Sequence, residues 1–365
     1  MTTNAPDNTI RFAEKILTLL DRGSFSSTYK YAVLLGLMDL CLEQSQKDGA
    51  PPAMVTTTQL AEKVIEFYWR QAVPFDVGQG VVLQQNTGNQ AAIVGLIEGF
   101  RSRRGNDPGA GMHRCRIASP NSYDKLVSDV EWKLVEMPLP RVQQIGQHQD
   151  RFIYEIAWDE SIRRGQWRDG SKFDNRIHFV GNAAEHLVQF AGLLRPLIQR
   201  QWGSMVAKMN RSAIQDSELD EFLFGASRVN LSGVKRPLRD LQGNRCFYCE
   251  GEFRDAIEVD HFMPWSRHPD NGLDNLVAAH TACNGSKSDH LAAASHVAKW
   301  STRVETMDGQ LDQLAGDIGW ERDLGKTGGV IRGVYLRLPE QVRLWKKGNL
   351  FEESKAEILE SILSA

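Results

Sequence analysis

The sequence predicts an α+β protein: an α-rich N-terminal body, then a small metal-clasped module, then C-terminal helices. Three observations predict it. Apolar residues recur at helical spacing through much of residues 9–75, β-formers gather only in short pieces further on, and three of the five cysteines crowd into residues 246–283. The boundaries are 1–212 for the body, 213–233 for a polar connection, 234–295 for the module and 296–365 for a helical region packing back on the body.

In "TIRFAEKILTLLDRG", Ile10, Phe12, Ala13, Ile16, Leu17, Leu19 and Leu20 mark a helix that Gly23 can stop. "SSTYKYAVLLGLMDLCLEQ" opens on a Ser/Thr cap and is apolar on most sides, which predicts a buried central helix. "SQKDGAPPAM" is a loop, and "TTTQLAEKVIEFYWRQ" is a third helix with Leu60, Val64, Phe67 and Tyr68 turned to the core. It is an ordinary capped bundle helix, not a DNA-reading one, since no basic helix follows it. Arg101, Arg103, Arg104, Arg114 and Arg116 surround a Gly/Asp/Pro-rich loop and read as a solvated cluster, with phosphate contact the alternative. "RFIYEIAWD" and "RIHFVG" are strands, whereas residues 182–210 form a long helix that Pro196 kinks or divides.

The chain has 365 residues, 41% hydrophobic and 24% charged, with a net charge of −3. That is a globular composition with room for two domains, and it excludes a protein that coats nucleic acid by charge alone. The longest apolar run, broken by Asp39, is too short to cross a bilayer, and no secretory segment opens the chain, so a cytoplasmic location is expected. An odd cysteine count argues against a disulfide framework; Cys41 and Cys115 read as core thiols.

Residues 246–287 read C-x2-C-x10-D-H-x13-N-x4-H-x2-C-N-x2-K. Cys246 and Cys249 have the spacing of half a zinc site, and His280 and Cys283 repeat that gap. Together they predict a Cys3His site for Zn²⁺, filled by protein and therefore structural. Between the pairs, "AIEVDHFMPWS" reads as a strand that delivers Asp260 and His261 to its end on opposite faces.

With "RCFYC", "IEVDHFMPWSR", "LDNLVAAHTACN" and "NGSK" in this order, the chain resembles the HNH (His-Asn-His, ββα-metal) endonuclease family over about residues 234–292. The resemblance implies two short strands flanking an Ω-like loop, a following helix and a zinc clasp. It makes His261 the general base and Asp260 a ligand of a catalytic Mg²⁺ or Mn²⁺ ion. Asn275 ties the loop together and helps orient the histidine, while Asn284 is the second protein ligand of that ion. These roles suit the residue types: an imidazole titrates near neutrality, carboxylate and amide oxygens are hard donors, and an amide both donates and accepts. The usual family form has cysteine where His280 stands. Turning His280 to the catalytic ion would leave three cysteines on zinc, so its spacing from Cys283 favours the clasp.

Lys287, three residues beyond Asn284 on one helix face, and Arg267 are candidate phosphate contacts, as is Arg239 in the basic segment with Lys235 and Arg236. His268, His290 and His296 hold no motif position and read as solvated. Trp345, Lys346 and Lys347 read as core or interface rather than as nucleic-acid contacts. The expected function is metal-dependent hydrolysis of DNA phosphodiester bonds, one strand per site. A large α-rich body ahead of such a module is similar to proteins of bacterial restriction and anti-phage systems, the Zorya type among them, which implies further defence components as partners. Two other readings use the same residues: a zinc-clasped nucleic-acid-binding module without catalysis, and a nuclease acting on RNA.

Overall fold

The computed structural model describes residues 5–23, 26–75, 80–103, 111–146, 148–210, 219–225, 230–254 and 256–364. The chain is mixed α and β, and it divides into two compact units, residues 1–41 with 52–227 and residues 42–51 with 228–365.

The first unit begins with α1 (Ala5–Arg22), α2 (Tyr29–Glu43), β1 (Met54–Thr56), α3 (Thr57–Trp69), α4 (Ala92–Ser102), α5 (Met112–Ala118) and α6 (Pro120–Glu136). It continues through β2 (Gln144–Ile145), β3 (His148–Gln149), β4 (Tyr154–Glu155), α7 (Arg164–Arg168), β5 (Arg176–Phe179), α8 (Ala183–Gln189), α9 (Ala191–Met209) and α10 (Leu219–Phe224). The buried stripe of α1 is narrower than its apolar set: Phe12, Ile16, Leu19 and Leu20 are covered, while Ile10 and Leu17 are 59% and 47% exposed. The α2 run from Tyr31 to Leu42 is buried, as an all-round apolar helix must be. A capping box starts α3, with Thr56 Oγ1 accepting from the Gln59 N–H and Gln59 Oε1 accepting from the Thr56 N–H. The helix then packs on α4 and α6. The strands β1, β5 and β4 form an antiparallel sheet in that order.

Several expectations change here. The long helix divides at Phe190, between α8 and α9, and Pro196 lies inside α9. Of the arginine cluster, Arg101 is buried, its guanidinium 4.6 Å from the Trp69 ring centre, so packing and not phosphate occupies it. Arg103, Arg114 and Arg116 are exposed, and Arg104 lies outside the described residues. Within the expected connection, α10 packs on α9, while 213–218 and 226–229 lie outside the described residues. Cys41 and Cys115 are both buried, as core residues should be.

Asp39 is accommodated in the apolar α2 by the buried Arg195 of α9, whose guanidinium donates to its carboxylate. Breaking such a pair leaves a carboxylate where water cannot solvate it. We expect Arg195→Met to cost about 3–5 kcal/mol, read from the urea unfolding midpoint. A change below about 1 kcal/mol, the worth of a surface pair, would contradict this.

The second unit contains α11 (Ser232–Leu241), β6 (Ile257–His261), β7 (Leu276–His280), α12 (Thr281–Lys287), α13 (Ala294–Thr306), α14 (Asp308–Ile318), α15 (Leu324–Tyr335), β8 (Arg343–Lys347), β9 (Leu350–Glu353) and α16 (Ala356–Leu363). Residues 42–51 join it through α15: a Cβ on Gly329 would stand 1.9 Å from the Glu43 carbonyl oxygen, so only glycine permits the approach. The C-terminal region is not helical throughout, since β8 and β9 pair as an antiparallel hairpin. Trp345 of β8 is fully buried against Tyr248 and His296. Among the described residues, no helix is long and apolar enough to cross a membrane.

Candidate active site and metal clasp

The antiparallel β6–β7 hairpin carries one chemistry at each end. Ile257 pairs with His280 at one end and His261 with Leu276 at the other, which separates the ends by about 13 Å at the usual strand rise. Just past the end of α11, the Gln242 side chain exchanges both amide hydrogen bonds with the Ala278 backbone of β7, at 2.8 and 2.9 Å.

At the first end a tight turn carries Cys246 and Cys249. The Glu250 N–H donates to the Cys246 carbonyl and the Cys246 N–H to that of Gly251, while Lys299 pins the turn through the Phe247 carbonyl at 2.6 Å. Ligand atoms of Cys246, Cys249, His280 and Cys283 all lie within 4.8 Å of one another. Zinc–ligand bonds of about 2.0–2.3 Å give tetrahedral edges of roughly 3.5–3.8 Å, so a modest contraction would close the site on Zn²⁺. His280 is oriented for this task. Its Nδ1 lies 3.2 Å from Cys249 Sγ, and its Nε2 lies 3.2 Å from the Glu252 carbonyl, which fixes the proton on Nε2 and leaves Nδ1 to ligate. Burial pushes the Cys249 thiol up, but hydrogen bonds from the Gly251 N–H, His280 and its fellow thiols bring it down to about 7. Burial and the charge of Cys246 push Cys283 up to about 12. A bound dication is what would let all three exist as thiolates together. The donor set and its geometry therefore suit zinc.

At the other end, the loop from Phe262 to Asn275 is closed by Asn275, which is fully buried. Its Oδ1 accepts from the Met263 N–H at 2.7 Å, and its Nδ2 donates to the carbonyls of Met263 and Asp270 at 3.3 and 3.0 Å. The bonding capacity of the amide is thus spent inside the loop. Further pins come from α15, where Thr327 donates to Asp270, and from Trp320, which donates to the Asn271 carbonyl. Burial raises the Asp270 carboxyl, yet the charges of Lys326 and His268 hold it below its ordinary value. The side chain that meets the His261 ring is Asn271, its Oδ1 2.9 Å from Nε2. An amide oxygen can only accept, so Nε2 carries the proton and Nδ1 is the basic nitrogen. The Trp265 ring packs against the imidazole, 5.2 Å between centres.

Across β6, Glu258 and Asp260 face α12. Asn284 Nδ2 donates to Glu258 Oε2 at 2.7 Å. Asp260, 8% exposed, accepts from the Tyr248 hydroxyl on Oδ2 and is 3.0 Å from Lys287 Nζ through the same oxygen. Burial and the Asp260 charge push the Tyr248 phenol well above its ordinary range, so it meets the carboxylate as a donor. Lys287, expected at phosphate, is fully buried; its ammonium also donates to the His261 carbonyl at 2.9 Å. The electrostatic demand of a buried carboxylate outweighs solvation of this lysine. Arg267 is exposed, whereas Arg239 is half-buried and donates through Nε and Nη2 to Asp240 at 2.8 and 2.6 Å. With Ser232, Lys235, Arg236, Ala256 and Ile257, Arg239 lines a cavity of about 340 Å³.

Residues 248–293, which include Tyr248, Glu258, Asp260, His261, Asn271, Asn275, Asn284 and Lys287, match a family model for the HNH endonuclease. A second model, described as a domain of unknown function, DUF8808, matches residues 9–223, more than half of the chain. The chain belongs to the DUF8808 family. No curated protein and no solved structure matches it. In this DUF8808 protein the HNH domain suggests nuclease activity, a divalent metal and a nucleic-acid partner.

Sequence reasoning missed three side chains in the HNH domain of this DUF8808 protein. Glu258 was legible from strand alternation, two residues before Asp260, and Tyr248 from its place between two zinc ligands. Asn271 carried no signal, because only the loop path brings it to His261. Two histidines are also corrected: His268 is buried and lies 3.2 Å from Glu43 Oε1, and His296 is buried with Nε2 2.8 Å from the Lys346 carbonyl, so neither is solvated.

Proposed function

We propose that the HNH domain is a metal-dependent endonuclease that hydrolyses DNA phosphodiester bonds, cutting one strand per engagement. The observation that carries this reading is His261, at the end of β6, with Nε2 held by Asn271 and Nδ1 left as the base. His261 Nδ1 takes the proton of a water that attacks phosphorus; the new P–O bond forms as the P–O3′ bond breaks, and the departing O3′ takes a proton from solvent, leaving a 5′-phosphate and a 3′-hydroxyl. Asn271 keeps the ring in the tautomer this needs, and Asn275 keeps Asn271 in place by bracing the loop. Asp260 and the Asn284 carbonyl oxygen are hard donors suited to Mg²⁺ or Mn²⁺. The amide nitrogen of Asn284 is already given to Glu258, which leaves its oxygen to ligate. Such an ion supplies stabilisation of the phosphate charge and of the leaving oxygen. Arg267 and the groove of Lys235, Arg236 and Arg239 are the phosphate contacts, while Lys287 serves inside the protein.

Between residues 228 and 299, nine Lys/Arg balance nine Asp/Glu, so affinity from this region alone is weak and salt-sensitive. The domain at residues 9–223 is then the source of specificity. A cytoplasmic place in bacterial restriction or anti-phage defence, alongside other components, fits a chain that joins such a domain to a nuclease. The test incubates purified full-length protein and Mg²⁺ or Mn²⁺ with supercoiled plasmid, and separately with a single-stranded RNA of matching sequence. Nicked circles accumulating ahead of linear DNA, with the RNA intact, are expected. Cleavage confined to RNA would overturn the substrate, and binding without cleavage of either would overturn the catalysis.

A further inference from the structure

We infer that Tyr248 is a positioning residue for Asp260, through which the zinc clasp sets the geometry of the catalytic carboxylate. This rests on the reading of Asp260 as a ligand of the catalytic ion. Tyr248 lies between Cys246 and Cys249, so its backbone is fixed by the same turn that presents two clasp thiols. Its ring is buried and wedged edge-on against Phe247, Trp345 and His296, with centres 5.2 Å away in each case. A ring so confined places its hydroxyl at a single point, and there it donates to Asp260 Oδ2. Lys287 Nζ, fully buried on α12, reaches the same oxygen at 3.0 Å from the other side of the clasp, since its helix starts from the His280–Cys283 pair.

Both donors thus arise from segments anchored by clasp residues, and both take Oδ2. Oδ1 accepts no hydrogen bond among the described residues, which leaves it as the oxygen offered outward. A carboxylate held by its inner oxygen presents one outer donor in a fixed direction. That is how outer partners tune a metal ligand, and loss of such a partner typically costs about 10–100-fold in metal affinity. The clasp, on this reading, holds the hairpin ends and also aims a side chain.

The test uses full-length, zinc-loaded protein and Mn²⁺ binding followed by electron paramagnetic resonance. Tyr248→Phe keeps the ring and removes the hydroxyl, and should weaken Mn²⁺ binding about 10-fold or more with zinc content unchanged. The control is Tyr335→Phe, which removes another buried hydroxyl of this unit, one that donates to the Ala292 carbonyl at 3.1 Å and not to Asp260. It should leave Mn²⁺ binding as in the wild type, whereas a general loss of packing would weaken both variants alike and overturn the inference. Mn²⁺ affinity of Tyr248→Phe within about twofold of the wild type would also overturn it. No Mn²⁺ binding by the wild-type chain, or binding unaltered in Asp260→Asn, would instead sink the reading of Asp260 on which it rests. A second measurement needs no variant: by reciprocity, Mn²⁺ bound at Asp260 must slow amide exchange in the turn at residues 246–251. Unchanged exchange there, with β6 protected, would count against the link.

Discussion

Replacing His261 with alanine is expected to lower plasmid cleavage by about 10²–10⁴-fold, the worth of a positioned general base, without unfolding the module. The two halves of this expectation have separate grounds. The imidazole stands at this end of β6 with Nε2 held by Asn271, which leaves Nδ1 unprotonated and available. Asp260 has another task on this reading: Tyr248 and Lys287 hold its Oδ2, and the outward Oδ1 is the oxygen assigned to the ion. What anchors the strand, by contrast, is backbone: the Lys287 bond goes to the His261 carbonyl, and the pairing with Leu276 survives the substitution. The lost bond to Asn271 costs about 1 kcal/mol, a small part of a domain's stability. The comparison is made at saturating Mg²⁺ or Mn²⁺, with circular dichroism and zinc content as controls. Equal cleavage by wild type and variant would remove His261 from the mechanism.

How much of this was legible in the sequence differs between the two ends of the hairpin. The clasp could be read because chelation imposes short, local spacings: Cys246 with Cys249 and His280 with Cys283 need only one turn each. The strand was legible too, since Ile257 and Val259 alternate with Glu258 and Asp260. What could not be read were the contacts between elements. Lys287 looks like a surface lysine by type, and only the buried Asp260 carboxylate beneath α12 explains why it turns inward. Asn271 stands in a polar loop whose path is set by Asn275, Trp320 and Thr327, residues separated by dozens of positions. In the first unit the same division holds. Helical periodicity located α1, α2 and α3, but it could not say that Ile10 and Leu17 stay outside, because burial depends on which neighbours arrive. The break falls at Phe190 and not at Pro196, the obvious breaker, which stands at the sixth position of α9 and removes one hydrogen bond without ending the helix, an outcome that local propensity alone does not foretell.

Removing the zinc is expected to be the more drastic perturbation of fold. Metal analysis should find one tightly held zinc per chain, and chelation or Cys249→Ala should abolish amide protection across about residues 244–291. Structural zinc contributes about 10–16 kcal/mol to small domains at neutral pH, as much as the whole stability of an ordinary domain, about 5–15 kcal/mol. The module shows why so much depends on it: β6 and β7 have five residues each, and their hairpin is closed by a loop of more than a dozen. Phe247, Phe262 and Trp300 do supply a small apolar core. That core, however, is reached from the turn that the clasp holds, and a two-stranded hairpin without support is marginal in water. Cys249→Ala also removes the partner of His280 Nδ1, so the imidazole loses the contact that draws β7 to the turn. Zinc-free protein with undiminished protection in β6 and β7 would show that the apolar contacts suffice, and would refute a structural role for the four ligands.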